Sequence, residues 1–566
     1  MNQLATSDYL VFLLYFVGVS AYGYWIYRQK ETGELDTKGF FLAEGSLTWW
    51  AIGASLIASN ISAEQFIGMS GSGFTLGVAI AVYEWLAAVA LIIVAIWFIP
   101  IYLKNRIFTM PQFLSTRYNE TVSLIMAIFW LFLYVFVNLT SILFLGALAL
   151  SNLVGVDYFH TIIVCLSLFA IVITLGGMKV IGYTDVIQVL VLIIGGLVTT
   201  YLALVKVSEV MGLGSSAITG FNAMLANADD HFHMIFPKPG PNTPQAEVNN
   251  YITLPGISMY LAGQWIVNLN YWGCNQYITQ RALGADLKTA RTGILFAALL
   301  KLFMPIIVMV PGIAAYVIYK NGGLQEEMTT NGKVIADNAY SAVLTFLPNG
   351  LKGLSVAALT AAIVASLAGK ANSISTIFTL DIYRKYVEKQ ATEQKLVWVG
   401  RIVILVAMVI SIGFAWGDTL GIGAEGGFTY IQKYTGYVSP GIFAVFILGF
   451  FWKRTTGSAA VVGVLLGFAL AVLFNDYAPT LFGNETPLYT AFFNSNSGKM
   501  EIPFLICMGW SFFFTVLAMV GISLAGPKIN PKGLEIDAAM FKLSPANTLL
   551  IAVILIAISL LYARFW

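Results

Sequence analysis

The chain has 566 residues, 58% of them apolar and 10% charged, with a mean hydropathy of +0.81. Soluble domains carry about 25% charged residues, so this composition excludes a water-soluble globular protein and indicates an integral membrane protein of many helices. A net charge of +2 gives no field for a nucleic-acid partner. The three cysteines, Cys165, Cys274 and Cys507, all lie in apolar segments and speak against a disulfide framework.

The first apolar run, Tyr9 to Tyr27, is too long and too aromatic for a signal-peptide core and reads as a retained span. Runs long enough to cross hydrocarbon, about 20 residues each, follow at 48–73, 76–103, 120–152, 158–176, 180–205, 252–278, 291–319, 350–380, 397–416, 424–450, 456–475, 502–525 and 546–563, fourteen spans in all. With the N-terminus outside, most of the 30 basic residues fall in inside loops, among them Arg28, Lys30, Lys38, Arg117, Arg281, Arg291, Lys395 and Lys532. An even number of spans then leaves both termini outside. Two outer loops are long, 206–250 and 320–349. The first carries an H-x-H pair, His231 and His233, which reads as part of a solvated loop rather than a metal site.

One span breaks the apolar rule. Ala54 to Gly77, ASLIASNISAEQFIGMSGSGFTLG, carries Ser59, Asn60, Ser62, Glu64 and Gln65 in its middle. Other spans add Glu84, Asp185, Lys301 and Lys433, with Asn138, Asn268, Asn275, Gln276 and Gln432 as neutral companions. An ionisable group at a helix centre costs at least about 2.5–3.5 kcal/mol. A single amide could be glue between two helices, but so many polar groups on at least six spans point to a polar cavity. Gly68, Gly71, Gly73 and Gly77 crowd one end of the stretch and read as the break of an interrupted helix. Carbonyls freed at such a break are hard oxygen ligands suited to Na⁺. Later, Ser366 stands on a helix with the small residues Ala362 and Ala365 on the same side, so it can approach that break. A broken helix, an ion site at the break and a polar pocket at mid-membrane form the pattern of a secondary transporter. Such folds contain inverted repeats; here five spans beginning at 48 and five beginning at 252 run in opposite directions.

At these residues the chain resembles a known family. ASNISAEQFIGMSGSG, YEW (Tyr83 to Trp85), FVNLTS (Phe136 to Ser141), YTDVIQV (Tyr183 to Val189), NYWGCNQYITQR (Asn270 to Arg281) and YIQKYTGYVSPGI (Tyr430 to Ile442) are similar to the sodium:solute symporters. The resemblance is strongest to the sodium/glucose cotransporter branch and its bacterial sodium/galactose members, and covers nearly the whole chain. It implies an all-α, LeuT-like fold of five plus five inverted helices. One extra helix would precede the repeats (1–47) and three would follow (456–566), with repeats and loops at 48–251 and 252–455. It also implies one Na⁺ per sugar, held by the backbone oxygens of Ala58, Ile61 and Ala362 and the Ser366 hydroxyl. Ala365 stands where the family often has a second hydroxyl. Ala368 and Gly369 stand where some members hold another sodium, and Asp185 would lie on the sodium exit path with Tyr183.

By the same resemblance, Gln65, Glu84, Asn138, Asn268, Lys301 and Gln432 would hydrogen-bond sugar hydroxyls, each of which both donates and accepts. Tyr271 would stack on the sugar as an inner gate beside Trp272, with Met69, Tyr83 and Phe428 as an outer gate. Lys433 and Glu425 are given no role, and Asn60 and Glu64 are supports of the break. Ala87 stands where the galactose transporters carry serine. The expected protein is a multi-pass transporter of a sodium-bearing cell membrane, of the bacterial inner-membrane kind, with sodium, a monosaccharide and the bilayer as its partners. Three other readings stand beside it. The same fold could carry myo-inositol or sialic acid. An uncoupled uniporter or channel would want a filter motif or charged rings. A membrane enzyme would want a motif such as H-E-x-x-H, which is absent from the sequence.

Overall fold

The computed structural model describes residues 4–28, 47–154, 158–330, 332–419, 422, 427–528 and 530–566. Lys30, Lys38 and Glu425 lie outside the described residues. The architecture is helical, with only two short antiparallel hairpins among the described residues, Thr329–Thr330 with Lys333–Val334 and Phe492–Asn494 with Lys499–Glu501.

Among the described residues, ten helical segments are long and apolar enough to cross a membrane: Thr6–Arg28, Glu64–Lys104, Glu120–Val154, Met178–Val210, Leu287–Lys320, Leu351–Val387, Glu393–Ala415, Gly457–Phe482, Phe504–Ala525 and Pro545–Phe565. Gly427–Gly436 and Ser439–Phe451 form a further apolar pair bent by 52°, and Phe159–Thr174 is apolar but only 16 residues long. Further helices lie between Gln245 and Leu283 in short pieces. The helices that position the site are, in chain order, α1 (Thr6–Arg28), α2 (Trp49–Asn60), α3 (Val82–Ile93), α4 (Met178–Val210), α5 (Gly263–Gly273), α6 (Gln276–Leu283), α7 (Leu287–Val308), α8 (Leu351–Thr376), α9 (Gly427–Gly436), α10 (Ser439–Phe451) and α11 (Pro545–Phe565).

Burial sorts these helices into a centre and a rim. The apolar window of the segment containing α8 is 89% buried, whereas those of α1 and α11 are 17% buried. The rim helices expose Leu10, Leu14, Leu549 and Leu560. Such faces fit lipid, which is as apolar as leucine and gives helices no hydrophobic reason to bury them. At the centre, close packing depends on small residues. The most extensive helix pairing joins α4 to α8, and a Cβ on Gly195 of α4 would lie 2.6 Å from that of Ala358. Likewise α2 and α7 meet backbone to backbone, where a Cβ on Gly53 would lie 2.8 Å from the Gly293 carbonyl.

Tertiary hydrogen bonds bring both ends of the chain to the long loops. Asp8, near the start of α1, accepts from the amides of Gly350 and Gly353 at 2.6 and 2.8 Å, where α8 begins. The Met234 amide, in the loop after α4, donates to the Phe565 carbonyl at 2.7 Å, where α11 ends. His231 in that same loop is a correction to the solvated reading. It is 7% exposed, stacks on Tyr316 with ring centroids 3.8 Å apart, and its Nε2 lies 3.0 Å from the Phe74 carbonyl. His233 is exposed, and the described residues hold no cluster of metal-ligating side chains.

Three of the arginines expected in inside loops stand on helices and are buried. Arg117, Arg281 and Arg291 are 0%, 2% and 6% exposed. Arg117 donates to the carbonyls of Gly449, Trp452, Lys453 and Thr455, at and just beyond the end of α10. Those terminal carbonyls have no partner within their own helix, and a cation there also complements the helix dipole.

Candidate solute and sodium site

The site begins where α2 ends. Ile61 leaves the helix with φ −80° and ψ 102°, its amide still bonded to the Ile57 carbonyl at 2.9 Å. The next amide, Ser62, does not continue the ladder. It donates to the side-chain Oε1 of Gln65 at 3.1 Å, and the Ser62 hydroxyl donates to the same oxygen at 3.3 Å. In an unbroken helix that amide would have satisfied the Ala58 carbonyl. Helix resumes with a π-helical turn, Glu64–Met69. The break therefore lies at 61–63, made by a side chain that outbids a carbonyl.

Three of the four glycines expected to break the helix do other work. A Cβ at Gly68, Gly71 or Gly73 would come within 2.6 Å of Phe428, Asp337 or Met309, so these glycines admit neighbouring chain segments. Only Gly77, with φ +65° and ψ −144°, ends a helix.

α8 faces the break. The Ser366 hydroxyl donates to the Ser59 carbonyl at 2.7 Å, and the Tyr277 hydroxyl of α6 donates to the same carbonyl at 2.5 Å. The Ser59 hydroxyl is itself buried without a hydrogen-bond partner. Ala58, Ile61, Ala362 and Ser366 are buried, at 0–1% exposure, on two helices that pack together. The arrangement thus supplies interrupted-helix carbonyls opposite a hydroxyl, which are hard oxygen donors of the kind that coordinate Na⁺.

Beside the break lies a cavity of about 70 Å³, below the range of about 300–1,000 Å³ usual for small-molecule pockets. It is lined by Asn60, Glu64, Gln65, Tyr83, Glu84, Ala87, Asn138, Val267, Asn268, Tyr271, Trp272, Asn275, Lys301, Lys370, Phe428, Ile431, Gln432 and Thr435. All seven residues expected to touch solute are among them. So are the expected gate residues Tyr83, Tyr271, Trp272 and Phe428, whereas Met69 is buried at 0% exposure and does not line the cavity. Tyr83 and Phe428 meet edge to face with centroids 5.0 Å apart. The Tyr271 hydroxyl accepts from the Asn60 amide at 3.1 Å and lies 2.5 Å from the Tyr277 hydroxyl, and its ring stands edge-on to Trp272.

The buried charges around the cavity and the break occur as pairs. Lys301 of α7 bonds Glu84 of α3 at 2.5 Å, reaches the Asn60 side-chain carbonyl and stands 5.2 Å from the Trp272 ring centroid. Lys370 of α8 lies 3.5 Å from Glu64. Arg281 of α6 lies 3.8 Å from Asp185 of α4, with the Ser55 hydroxyl bridging them at 2.8 and 2.5 Å. Pairing offsets part of the cost of burying each ion, though seldom all of it. The sequence reading had placed Asn60 and Glu64 only as supports and gave Lys370 no role. Its position one helical turn after Ser366, and hence on the same helix face, was the available signal.

Comparison with known proteins agrees with this geometry. Residues 40–467 match the profile of the sodium:solute symporter family. Over 575 aligned positions the chain is 42% identical to the sodium/glucose cotransporter of Vibrio parahaemolyticus, covering 100% of this chain and 99% of that relative. It is 32% identical to the sodium/myo-inositol cotransporter 2 of Mus musculus, over 83% of this chain and 70% of the relative. It is also 32% identical to the sodium/glucose cotransporter 1 of Mus musculus, over 82% and 71%. The fold matches a solved Na⁺-coupled sialic acid symporter, in a substrate-bound outward-open state, with a TM-score of 0.75 at 22% identity, across 93% of this chain and 99% of that one. The chain belongs to the sodium:solute symporter family and is a multi-pass membrane protein that couples solute movement to Na⁺.

Proposed function

We propose that the chain moves a monosaccharide, galactose or glucose, into the cell with one Na⁺ per sugar. The observation that carries this reading is the cavity in which Gln65, Glu84, Asn138, Asn268, Lys301 and Gln432 meet Tyr271, beside the break at 61–63. A pyranose needs donors and acceptors around its edge and a flat apolar face; amides, a carboxylate, an ammonium and a tyrosine ring supply both.

In this reading Ala58, Ile61, Ala362 and Ser366 hold Na⁺, and the ion fixes α2 against α8. Sodium acts only through its preference for one state over another, here the outward-open state with a completed sugar pocket. Sugar closes the outer gate at Tyr83 and Phe428, with Met69 behind it. The bundle then rocks, Na⁺ leaves past Asp185, and Tyr271 releases sugar. At about −100 mV one charge contributes about 2.3 kcal/mol. A tenfold Na⁺ gradient adds about 1.4 kcal/mol, and together they support roughly 500-fold accumulation.

The frame is a LeuT-like five-plus-five inverted repeat. Counting 49–76, 77–104, 159–174, the pieces within 252–283 and the bent pair 427–451 as separate crossings gives fourteen spans. Asp8 and Phe565 are tied to residues at or in the two long loops, which supports placing both termini on the side of those loops, the outside in this reading. A bacterial inner membrane suits the chain, since its relative of highest coverage here is a Vibrio protein.

A second reading is a cyclic polyol. Ala87 lines the cavity where galactose transporters carry serine, and a sodium/myo-inositol cotransporter is among the relatives. The test is uptake of labelled galactose, glucose and myo-inositol into proteoliposomes, with and without an inward Na⁺ gradient. The expected result is Na⁺-driven sugar uptake, lost in Ser366→Ala and Gln432→Ala and poorly competed by myo-inositol. Preferred uptake of myo-inositol selects the second reading; sugar flux indifferent to Na⁺ overturns the coupling.

A further inference from the structure

Of the buried ion pairs at the site, one stands against the helix break on the face of α8 that carries Ser366. Lys370 follows Ser366 by one turn, so their side chains share that face. The Lys370 side chain is 3% exposed, and its ammonium lies 3.5 Å from Oε1 of Glu64, the first residue after the break. The same ammonium stands 5.2 Å from the centroid of Tyr277, whose hydroxyl holds the Ser59 carbonyl together with that of Ser366. No hydroxyl side chain stands at 365, 368 or 369, which are Ala, Ala and Gly. A Cβ on Gly369 would meet the Arg281 guanidinium at 2.4 Å, so a second cation closes the other flank.

We propose that Lys370 is a tethered cation that sets how tightly Na⁺ binds, by claiming the Glu64 carboxylate and placing a fixed positive charge beside the break. The inference rests on Ser366 and the break being the sodium site. Two like charges within a few ångströms repel strongly where water is scarce. Lys370 therefore weakens Na⁺ binding at neutral oxygens that already lack a second hydroxyl at 365. It also ties the resumed helix to α8 when no ion is bound, so that Na⁺ and the Lys370–Glu64 pair act on the same joint. Lys370 is a specificity and positioning residue in this scheme, since the Na⁺ oxygens belong to other groups.

The test is Na⁺ binding without sugar, read as the Na⁺-dependent rise in thermal midpoint of the purified full chain, together with the Na⁺ concentration for half-maximal uptake in proteoliposomes. Lys370→Met exposes Glu64 to the ion and should lower both half-saturation values about tenfold. Glu64→Gln should raise them. The double variant, which leaves no buried charge unpaired, should return near wild type and serves if Lys370→Met folds poorly. Half-saturation unchanged in Lys370→Met and in the double variant relative to Glu64→Gln overturns the role of Lys370. Ser366→Ala separates the two failures: if it leaves Na⁺ binding intact, the sodium site itself is misassigned and the inference falls with it. If it abolishes Na⁺ binding while Lys370→Met changes nothing, only the tethered-cation role is lost.

Discussion

Glu84 and Lys301 are the strongest buried couple in the cavity, 2.5 Å apart and at most 3% exposed. Removing one partner of such a pair leaves an uncompensated buried charge and costs about 3–5 kcal/mol. Glu84→Ala should therefore lower the thermal midpoint sharply in detergent and abolish uptake. Glu84→Gln with Lys301→Met should recover most of the midpoint and none of the uptake, because both charges serve the solute in the proposed function. A double variant as unstable as the single would mean the pair is structural scaffolding only. These two residues were legible in the sequence as charges in apolar spans. Their partnership is decided by distance in the fold, because α3 and α7 are far apart in the chain.

The helix break shows how local chemistry and packing divide the work. Gln65 diverts the Ser62 amide, so Gln65→Leu should let the ladder close through Ala58 and weaken Na⁺-dependent stabilisation at least tenfold, measured as the shift of thermal midpoint with Na⁺. Gly77 holds a backbone conformation that costs an L side chain on the order of 1–3 kcal/mol, and its Cβ would lie 2.1 Å from the His231 carbonyl. Gly77→Ala should thus destabilise the outer end by more than the torsional cost alone. Asp337, in the loop between α7 and α8, accepts from the Gly427 amide at the start of α9, at 2.8 Å. Burial pushes its carboxyl up to about 6. The folded protein then holds this proton at pH values where the unfolded chain has lost it, so this group's contribution to stability falls as pH rises from about 4 through 6. Asp337→Asn should remove that component. Thermal midpoints of wild type and variant, compared between pH 4.5 and 7, check it; an identical slope in both would rule it out.

Across the bundle, the bonds of Asp8 to the start of α8 and of Met234 to the end of α11 predict a topology. In a Cys165→Ser background, Gly322→Cys and Lys238→Cys should react with an impermeant thiol reagent in intact cells, and Lys389→Cys only after permeabilisation. Labelling of Lys389→Cys from outside would invert the orientation. The burial gradient from α8 to α1 and α11 carries a second consequence. Polar substitutions at Leu14 or Leu560 face lipid and should impair membrane insertion more than the stability of the folded core.

Membrane residence and the polar stretch at Ala54–Gly77 follow from composition and from runs of apolar residues, because hydrocarbon forces every backbone group into internal hydrogen bonds. The identity of most cavity residues was legible for the same reason: a charge or amide in lipid has to be accounted for. The partners of those groups were not. Ser59 with Ser366 and Tyr277, Glu64 with Lys370, and Arg281 with Asp185 are separated by tens to hundreds of residues, and only packing brings them together. Three glycines read as breakers turned out to admit Phe428, Asp337 and Met309, since a missing side chain serves close approach as readily as a bend. Arg117, read as a loop charge, is buried and caps a helix end instead, because a carbonyl without a partner attracts a guanidinium whichever side of the span it lies on.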